Sequence, residues 1–134
     1  MPNSFKKLKR ILMVDDSEID LKINSKIVTL HQLSEEVVTC ISAEEGLTYL
    51  RSNLSNAHLL PDLILLDIQM PDMDGFGFLE EYQQLPVEFR EYCTVIILSS
   101  TLDFGDIIRA EANQHVKKLL RKPLNAQELK DTIS

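Results

Sequence analysis

Five positions in this chain have the chemistry to act together on a phosphoryl group. Asp15 and Asp16 stand side by side after the apolar run Ile11-Leu12-Met13-Val14, and Asp67 ends the run Leu63-Ile64-Leu65-Leu66. Ser99 follows Val95-Ile96-Ile97-Leu98 with Ser100 beside it, and Lys122 follows Leu119-Leu120-Arg121 and precedes Pro123. Carboxylates gathered at one site repel one another, by roughly 3 kcal/mol per pair at about 5 Å and an effective dielectric of about 20. Such a cluster resolves the repulsion by protonating one acid or by holding a cation. All-oxygen donors favour Mg2+ over softer metals. Beside a divalent cation, a carboxylate can attack phosphorus and become an acyl phosphate, while a lysine and a hydroxyl hold the phosphoryl oxygens. Asp67 stands alone at the end of the middle run and is the natural nucleophile. Asp15 and Asp16 are the natural metal holders.

The runs themselves say what must position these groups. Each is short, apolar at every residue and bounded by polar residues, which is the pattern of a strand buried on both faces of a parallel sheet. In open parallel sheets the working residues lie beyond the carboxyl ends of the strands. The five should therefore meet at one sheet edge. The chain reads as strand then helix, five times, with strands near 9–14, 36–41, 62–66, 94–98 and 116–121. Helical spacing predicts a buried face of Ile19, Ile23, Ile27 and Leu30 on the first helix, and of Ala43, Leu47, Leu50 and Leu54 on the second. Phe78, Leu79 and Tyr82 should be buried by the third helix, and Ile107 and Ile108 belong to the fourth, capped by Asp103. Ser42…Glu45 and Asn125…Glu128 read as capping boxes, with Leu124 and Leu129 as a staple on the last helix. Residues 69–75 form a loop in which Asp72 and Asp74 are turn residues and Gly75 supplies backbone freedom. The stretch 85–93 is a connection with room for an extra turn. Strict alternation predicts an α/β fold, a doubly wound five-stranded parallel sheet with helices on both faces.

At 134 residues the chain is read as one domain, 1–134, with 1–7 as an amino-terminal extension and no output domain. A net charge of -7 argues against non-specific nucleic-acid binding, which needs cations to neutralise phosphates. Lys6, Lys7, Lys9, Arg10, Lys117, Lys118 and Arg121 read as solvated strand ends, unlike Lys122. Cys40 and Cys93 lie in or beside strands and read as buried free thiols of a reducing compartment. His31, His58 and His115 are scattered without ligand spacing, so no zinc site is expected. No apolar stretch reaches membrane-span length and no signal-peptide pattern opens the chain, which predicts a cytoplasmic protein without a membrane partner.

Four stretches in order, Ile11 to Ser17, Leu65 to Gly75, Ile97 to Ser100 and Arg121 to Leu124, resemble the bacterial two-component response-regulator receiver domain. The likeness runs from Leu8 to Ile133. It implies a flavodoxin-like (βα)5 fold with strand order 2-1-3-4-5. It implies that Asp67 accepts a phosphoryl group from the phosphohistidine of a sensor histidine kinase or phosphotransfer protein, and loses it by slow autodephosphorylation. It also implies that Asp16 and Asp67 ligate Mg2+ directly, that Asp15 acts largely through water, and that the Gln69 carbonyl supplies a further oxygen. Ser99 matches the hydroxyl that contacts the phosphoryl group, Lys122 the lysine that pairs with it, and the Lys122-Pro123 bond is often cis in such chains. Leu119 departs from the pattern, since an aromatic switch residue is usual there.

The resulting expectation is a stand-alone, chemotaxis-type signalling switch, not an enzyme in the multiple-turnover sense. Its output is a contact with a downstream protein or onward phosphotransfer. Two other classes compete. A Mg2+-dependent phosphatase with an aspartyl nucleophile wants a second acid two places after the nucleophile, where Gln69 stands. A flavodoxin-like cofactor binder wants a phosphate loop after the first strand, where Asp15 and Asp16 would repel a phosphate.

Overall fold

The computed structural model describes residues 5–134; residues 1–4 of the expected extension lie outside the described residues. In chain order the elements are β1 (Leu8–Val14), α1 (Glu18–Leu30), β2 (Ser34–Cys40), α2 (Ala43–Ser52), β3 (Leu63–Leu66), α3 (Gly75–Tyr82), α4 (Val87–Tyr92), β4 (Thr94–Ser99), α5 (Phe104–Ala112), β5 (Val116–Arg121) and α6 (Ala126–Ile133). A single 3-10 turn, Ala57–Leu59, precedes β3. The strands form one sheet in the order β2-β1-β3-β4-β5, and every pairing is parallel. Among the described residues no helix is long and apolar enough to cross a membrane.

Successive side chains of a strand point to opposite faces, and here that alternation divides the core in two. Leu12, Val14, Ile64, Leu66, Val95 and Ile97 share one face with Leu47, Leu50, Phe78, Tyr82, Phe89 and Ala110 from α2 to α5. Ile11, Met13, Leu63, Leu65, Ile96 and Leu98 share the other with Leu21 and Val28 of α1 and Leu129 of α6. Both faces are covered, which is why the runs 11–14, 63–66 and 95–98 within these strands are apolar at every position. The helix caps are those the sequence predicts at Ser42, Asp103 and Asn125, whose side chains accept from the amides of Glu45, Asp106 and Glu128. Leu124 and Leu129 are both buried, as the staple requires.

Several expectations are corrected. Among the described residues there are six α-helices, not five, because the connection at 85–93 folds into α4 and buries Phe89. The buried side of α1 is Leu21, Asn24 and Val28, whereas Ile19, Ile23 and Leu30 are exposed and Ile27 is half-buried. Both stripes satisfy the helical period. The correct one is disguised by a polar residue, Asn24, whose Oδ1 accepts the Leu124 amide at 3.0 Å. On α5 the buried residue is Ala110, with Ile107 half-buried and Ile108 exposed. Arg10 is not a solvated strand end: it is buried, with its guanidinium 2.8 Å from Glu36 and bonded to the carbonyl of His58. His115 is half-buried, and its Nε2 has no hydrogen-bond partner among the described residues. Cys40 and Cys93 are buried and free as expected, and burial pushes both thiols up to about 12.

Candidate functional site

The sheet register brings the predicted residues together. Val14 lies opposite Leu66, and Leu66 opposite Ile97, so β1 and β3 end at one level and β4 runs two residues past it to Ser99. The ladder continues one step beyond, with the Asp15 amide donating to Cys40 at 3.0 Å and the Asp67 amide to Val14 at 2.9 Å. Ser99 pairs in register with Arg121, and the Lys122 amide donates to the Ser99 carbonyl at 3.0 Å. The last strand therefore delivers Lys122 to the same edge. The Lys122-Pro123 bond is cis.

Asp15 and Asp67 are buried and Asp16 is exposed. One carboxylate oxygen from each can be chosen so that all three lie within 4.8 Å of one another. The Lys122 ammonium reaches into this cluster, 2.6 Å from Asp15 Oδ2 and 3.3 Å from Asp67 Oδ2, with its side chain only 7% exposed. Asp67 Oδ1 accepts from the Ser99 hydroxyl at 3.1 Å and from the Gln69 amide at 3.3 Å. The Ser99 hydroxyl is also 3.2 Å from the Thr101 carbonyl, so its one proton is shared between two acceptors. Ser100 is exposed, which leaves Ser99 as the serine that touches the acids. Asp15 Oδ1 accepts the Ser17 amide at 2.9 Å. Across the mouth, the Thr101 hydroxyl donates to Gln69 Oε1 at 2.9 Å and ties the loop after β3 to the loop after β4.

The electrostatics follow from this crowding. Burial pushes the Asp67 carboxyl above its usual range; Lys122 opposes that, the Asp15 charge adds to it, and the bonds from Lys122 and Ser99 draw it back. Burial also acts against the charged form of Lys122, but its bonds to Asp15 and Asp20 and the nearby Asp67 charge outweigh it, so the ammonium is held above its ordinary value. The lysine is thus a fixed cation among acids.

Gly75 serves this site differently from the expectation. Its φ is not in the left-handed region; Asp72, with φ 66°, takes the strained place in the loop. What Gly75 supplies is space. Its amide donates to the Ile68 carbonyl at 2.8 Å, and a Cβ there would lie 2.6 Å from the Asp67 carbonyl oxygen and 2.8 Å from Ile68 Cα. Asp74, read as a turn residue, caps α3 by accepting the Gly77 amide.

Sequence reasoning missed two residues here. Asp20 stands 2.9 Å from the Lys122 ammonium. Asn24, one turn further along α1, holds the amide two residues past that lysine. Their i, i+4 spacing on α1 was visible, but nothing local said that this face meets the loop after β5.

The donor set fits a hard divalent cation. It consists of carboxylate oxygens alone, close enough to share one ion, with one acid open to solvent and two buried. Asp15, Asp16 and Asp67 are the residues that would hold it.

Comparison with known proteins agrees with this geometry. Residues 11–134 match the response regulator receiver domain family. The chain is 35% identical over 121 residues to the two-component response regulator ARR11 of Arabidopsis thaliana, a match covering 90% of this chain and 21% of that protein. The chain thus spans about a fifth of that curated relative. A response regulator receiver protein from Dyadobacter fermentans superposes with a TM-score of 0.83 at 39% identity, covering 92% of this chain and 93% of that one. The Mn(2+)-bound form of response regulator Rcp1 superposes with a TM-score of 0.71 at 27% identity, covering 92% of this chain and 87% of that one. With the acids, the hydroxyl and the lysine meeting at the carboxyl edge of a 2-1-3-4-5 sheet, and a family match over most of its length, this chain belongs to the response regulator receiver domain family.

Proposed function

We propose that the chain is a phosphorylation-dependent signalling switch in which Asp67 is the phosphoacceptor and Asp15, Asp16 and Asp67 hold Mg2+. The observation that carries this reading is the setting of the Asp67 carboxylate. It is buried between two further acids, with the Lys122 ammonium on one oxygen and the Ser99 hydroxyl on the other. A carboxylate fixed this way has little orientational freedom to lose before attack.

An Asp67 oxygen forms the new bond to phosphorus as the donor's N–P bond breaks, and the donor imidazole keeps the electron pair and a proton. When bound, Mg2+ neutralises charge on the transferring phosphoryl oxygens. Lys122 and Ser99 hold the remaining oxygens, and later hydrolysis of the acyl phosphate by water resets Asp67. The donor is a histidine kinase or a phosphotransfer protein; the exposed Ile19 and Ile23 of α1, following the site acids, offer it an apolar contact. Output runs through protein contact or onward phosphotransfer, for which the exposed Phe104 and Ile108 of α5 offer an apolar contact. The chain is a phosphoacceptor and not a multiple-turnover enzyme, and it works in the cytoplasm.

Acetyl phosphate with Mg2+ should add one phosphoryl group to the native chain and none to Asp67→Asn, read by intact mass. An unmodified native mass, or an equally modified Asp67→Asn, would refute the proposal.

A further inference from the structure

We infer that Asp20 is a positioning residue for Lys122: it holds the ammonium while Asp15 and Asp67 are engaged elsewhere, and so sets how tightly the site binds a divalent cation. This inference rests on the function proposed above.

Asp20 lies three residues after Ser17, the cap of α1, whose Oγ accepts the Asp20 amide at 3.2 Å. An acid at this place commonly reaches back to the amide of the capping residue. Here that amide is already taken, because Ser17 donates to Asp15 Oδ1 at 2.9 Å. The Asp20 carboxylate turns instead to Lys122 Nζ, at 2.9 Å across 102 positions of sequence. Asn24, on the next turn of the same helix, holds the Leu124 amide. α1 thus grips the loop after β5 at two points, one on the lysine head and one on the backbone beyond it.

Asp20 is not among the three acids whose oxygens cluster. That separation gives it a role the others cannot fill. Lys122 spends its contacts on Asp15 Oδ2, Asp67 Oδ2 and Asp20 Oδ2. The first two acids are also cation ligands, so lysine and cation compete for them. Asp15 Oδ1 accepts the Ser17 amide, so Oδ2 is the Asp15 oxygen set against Lys122. When Asp15 turns to a cation, Lys122 loses its shortest contact, and Asp20 is the carboxylate left to keep it. With Asp20 neutral, the lysine has no alternative seat and stays on Asp15 and Asp67 against the cation.

The test is a double-mutant cycle on Mg2+ affinity, measured by calorimetry with the full chain. Asp20→Asn should weaken Mg2+ binding about fivefold in the native background. In a Lys122→Met background, the same change should cost under about twofold, since a half-buried charge that still meets solvent is partly screened when it acts alone. Equal effects in both backgrounds, or no effect in the native one, overturn the inference. A second readout needs no lysine variant. The side-chain ammonium signal of Lys122 in 15N-labelled protein should persist at saturating Mg2+ in the native chain and broaden away in Asp20→Asn; persistence in both overturns the inference as well. The outcomes separate the two claims. A native chain that takes up neither Mg2+ nor a phosphoryl group refutes the functional reading itself. A native chain that takes up both, with no coupling between Asp20 and Lys122, refutes only the role of Asp20.

Discussion

Replacing Lys122 by methionine keeps much of the side chain's bulk and removes its charge, so it isolates what the ammonium does for the folded state. In the native chain that charge lies 2.6 Å from Asp15 Oδ2 and 3.3 Å from Asp67 Oδ2. At an effective dielectric of about 20 those contacts amount to roughly 6 and 5 kcal/mol of attraction. Desolvating an ammonium that is 7% exposed returns several kcal/mol of this. Removing one partner of a buried pair costs about 3–5 kcal/mol, because the other charge is left uncompensated. We expect the lower end, about 3 kcal/mol at pH 7 in EDTA, since Asp67 can relieve part of the strain by protonation. In urea titrations this lowers the midpoint by about 1.5 M. The pH dependence carries a definite sign. The folded-state Asp67 carboxyl is raised by burial, Lys122 opposes the rise, and Asp15 adds to it. A carboxyl raised in the folded state stabilises the fold below its unfolded value, and that contribution is lost as pH climbs through the folded value. Without Lys122 the folded value moves higher still. The deficit of Lys122→Met should therefore shrink as pH falls toward about 4, and millimolar Mg2+ should restore much of it at pH 7. A deficit indifferent to both pH and Mg2+ would refute the charge argument and leave Lys122 a packing residue.

Other substitutions probe single contacts. Gly75→Ala places a methyl group against the Asp67 carbonyl and Ile68 Cα, backbone atoms that cannot swing aside; it should cost about 1–3 kcal/mol in urea unfolding and slow acetyl phosphate transfer with it. Asn24→Ala leaves the buried Leu124 amide without its acceptor and should cost about 1–3 kcal/mol, seen as a lowered thermal midpoint. Ser99→Ala removes the hydroxyl on Asp67 Oδ1; phosphoryl uptake should slow about tenfold, the worth of one hydrogen bond to a charged group, with little change in Mg2+ affinity.

The centre of the sheet was legible because β1, β3 and β4 are covered on both faces, and that demand writes apolar runs into the sequence; the edge strands β2 and β5 are partly exposed and carry shorter ones. The site was legible for the same reason, since a run that must stop at the sheet edge marks its end with the residue that works there. Asp15, Asp67, Ser99 and Lys122 were each found that way. The helices were harder, because a helix covers only one face and leaves its other side free to be apolar as well. On α1 the stripe Ile19, Ile23, Leu30 outscores Leu21, Asn24, Val28 on hydrophobicity alone, yet the second is buried. Asn24 is buried because a partner in the loop after β5 satisfies its amide, a fact held 100 residues away. Asp20 was hidden by the same distance: within α1 it reads as a cap residue, and only Lys122 gives it another use. Arg10 was misjudged because a strand-end cation is usually solvated, and nothing near it in sequence announces Glu36 or the His58 carbonyl.

The charge balance of the site explains why a cation and a phosphoryl group belong to it together. Four carboxylates, those of Asp15, Asp16, Asp20 and Asp67, face the single ammonium of Lys122. A phosphoryl donor approaching that surplus of negative charge meets repulsion, and one lysine cannot cancel it. On the proposed function, a divalent cation held by Asp15, Asp16 and Asp67 would offset two units of the surplus, with Asp20 still within reach of Lys122. On the same reading, phosphorylation of Asp67 would exchange its carboxylate charge for about two charges on phosphate oxygens, beside the Ser99 hydroxyl and the Gln69–Thr101 bridge. That bridge joins the loops after β3 and β4, so the change in charge would fall where those two loops meet.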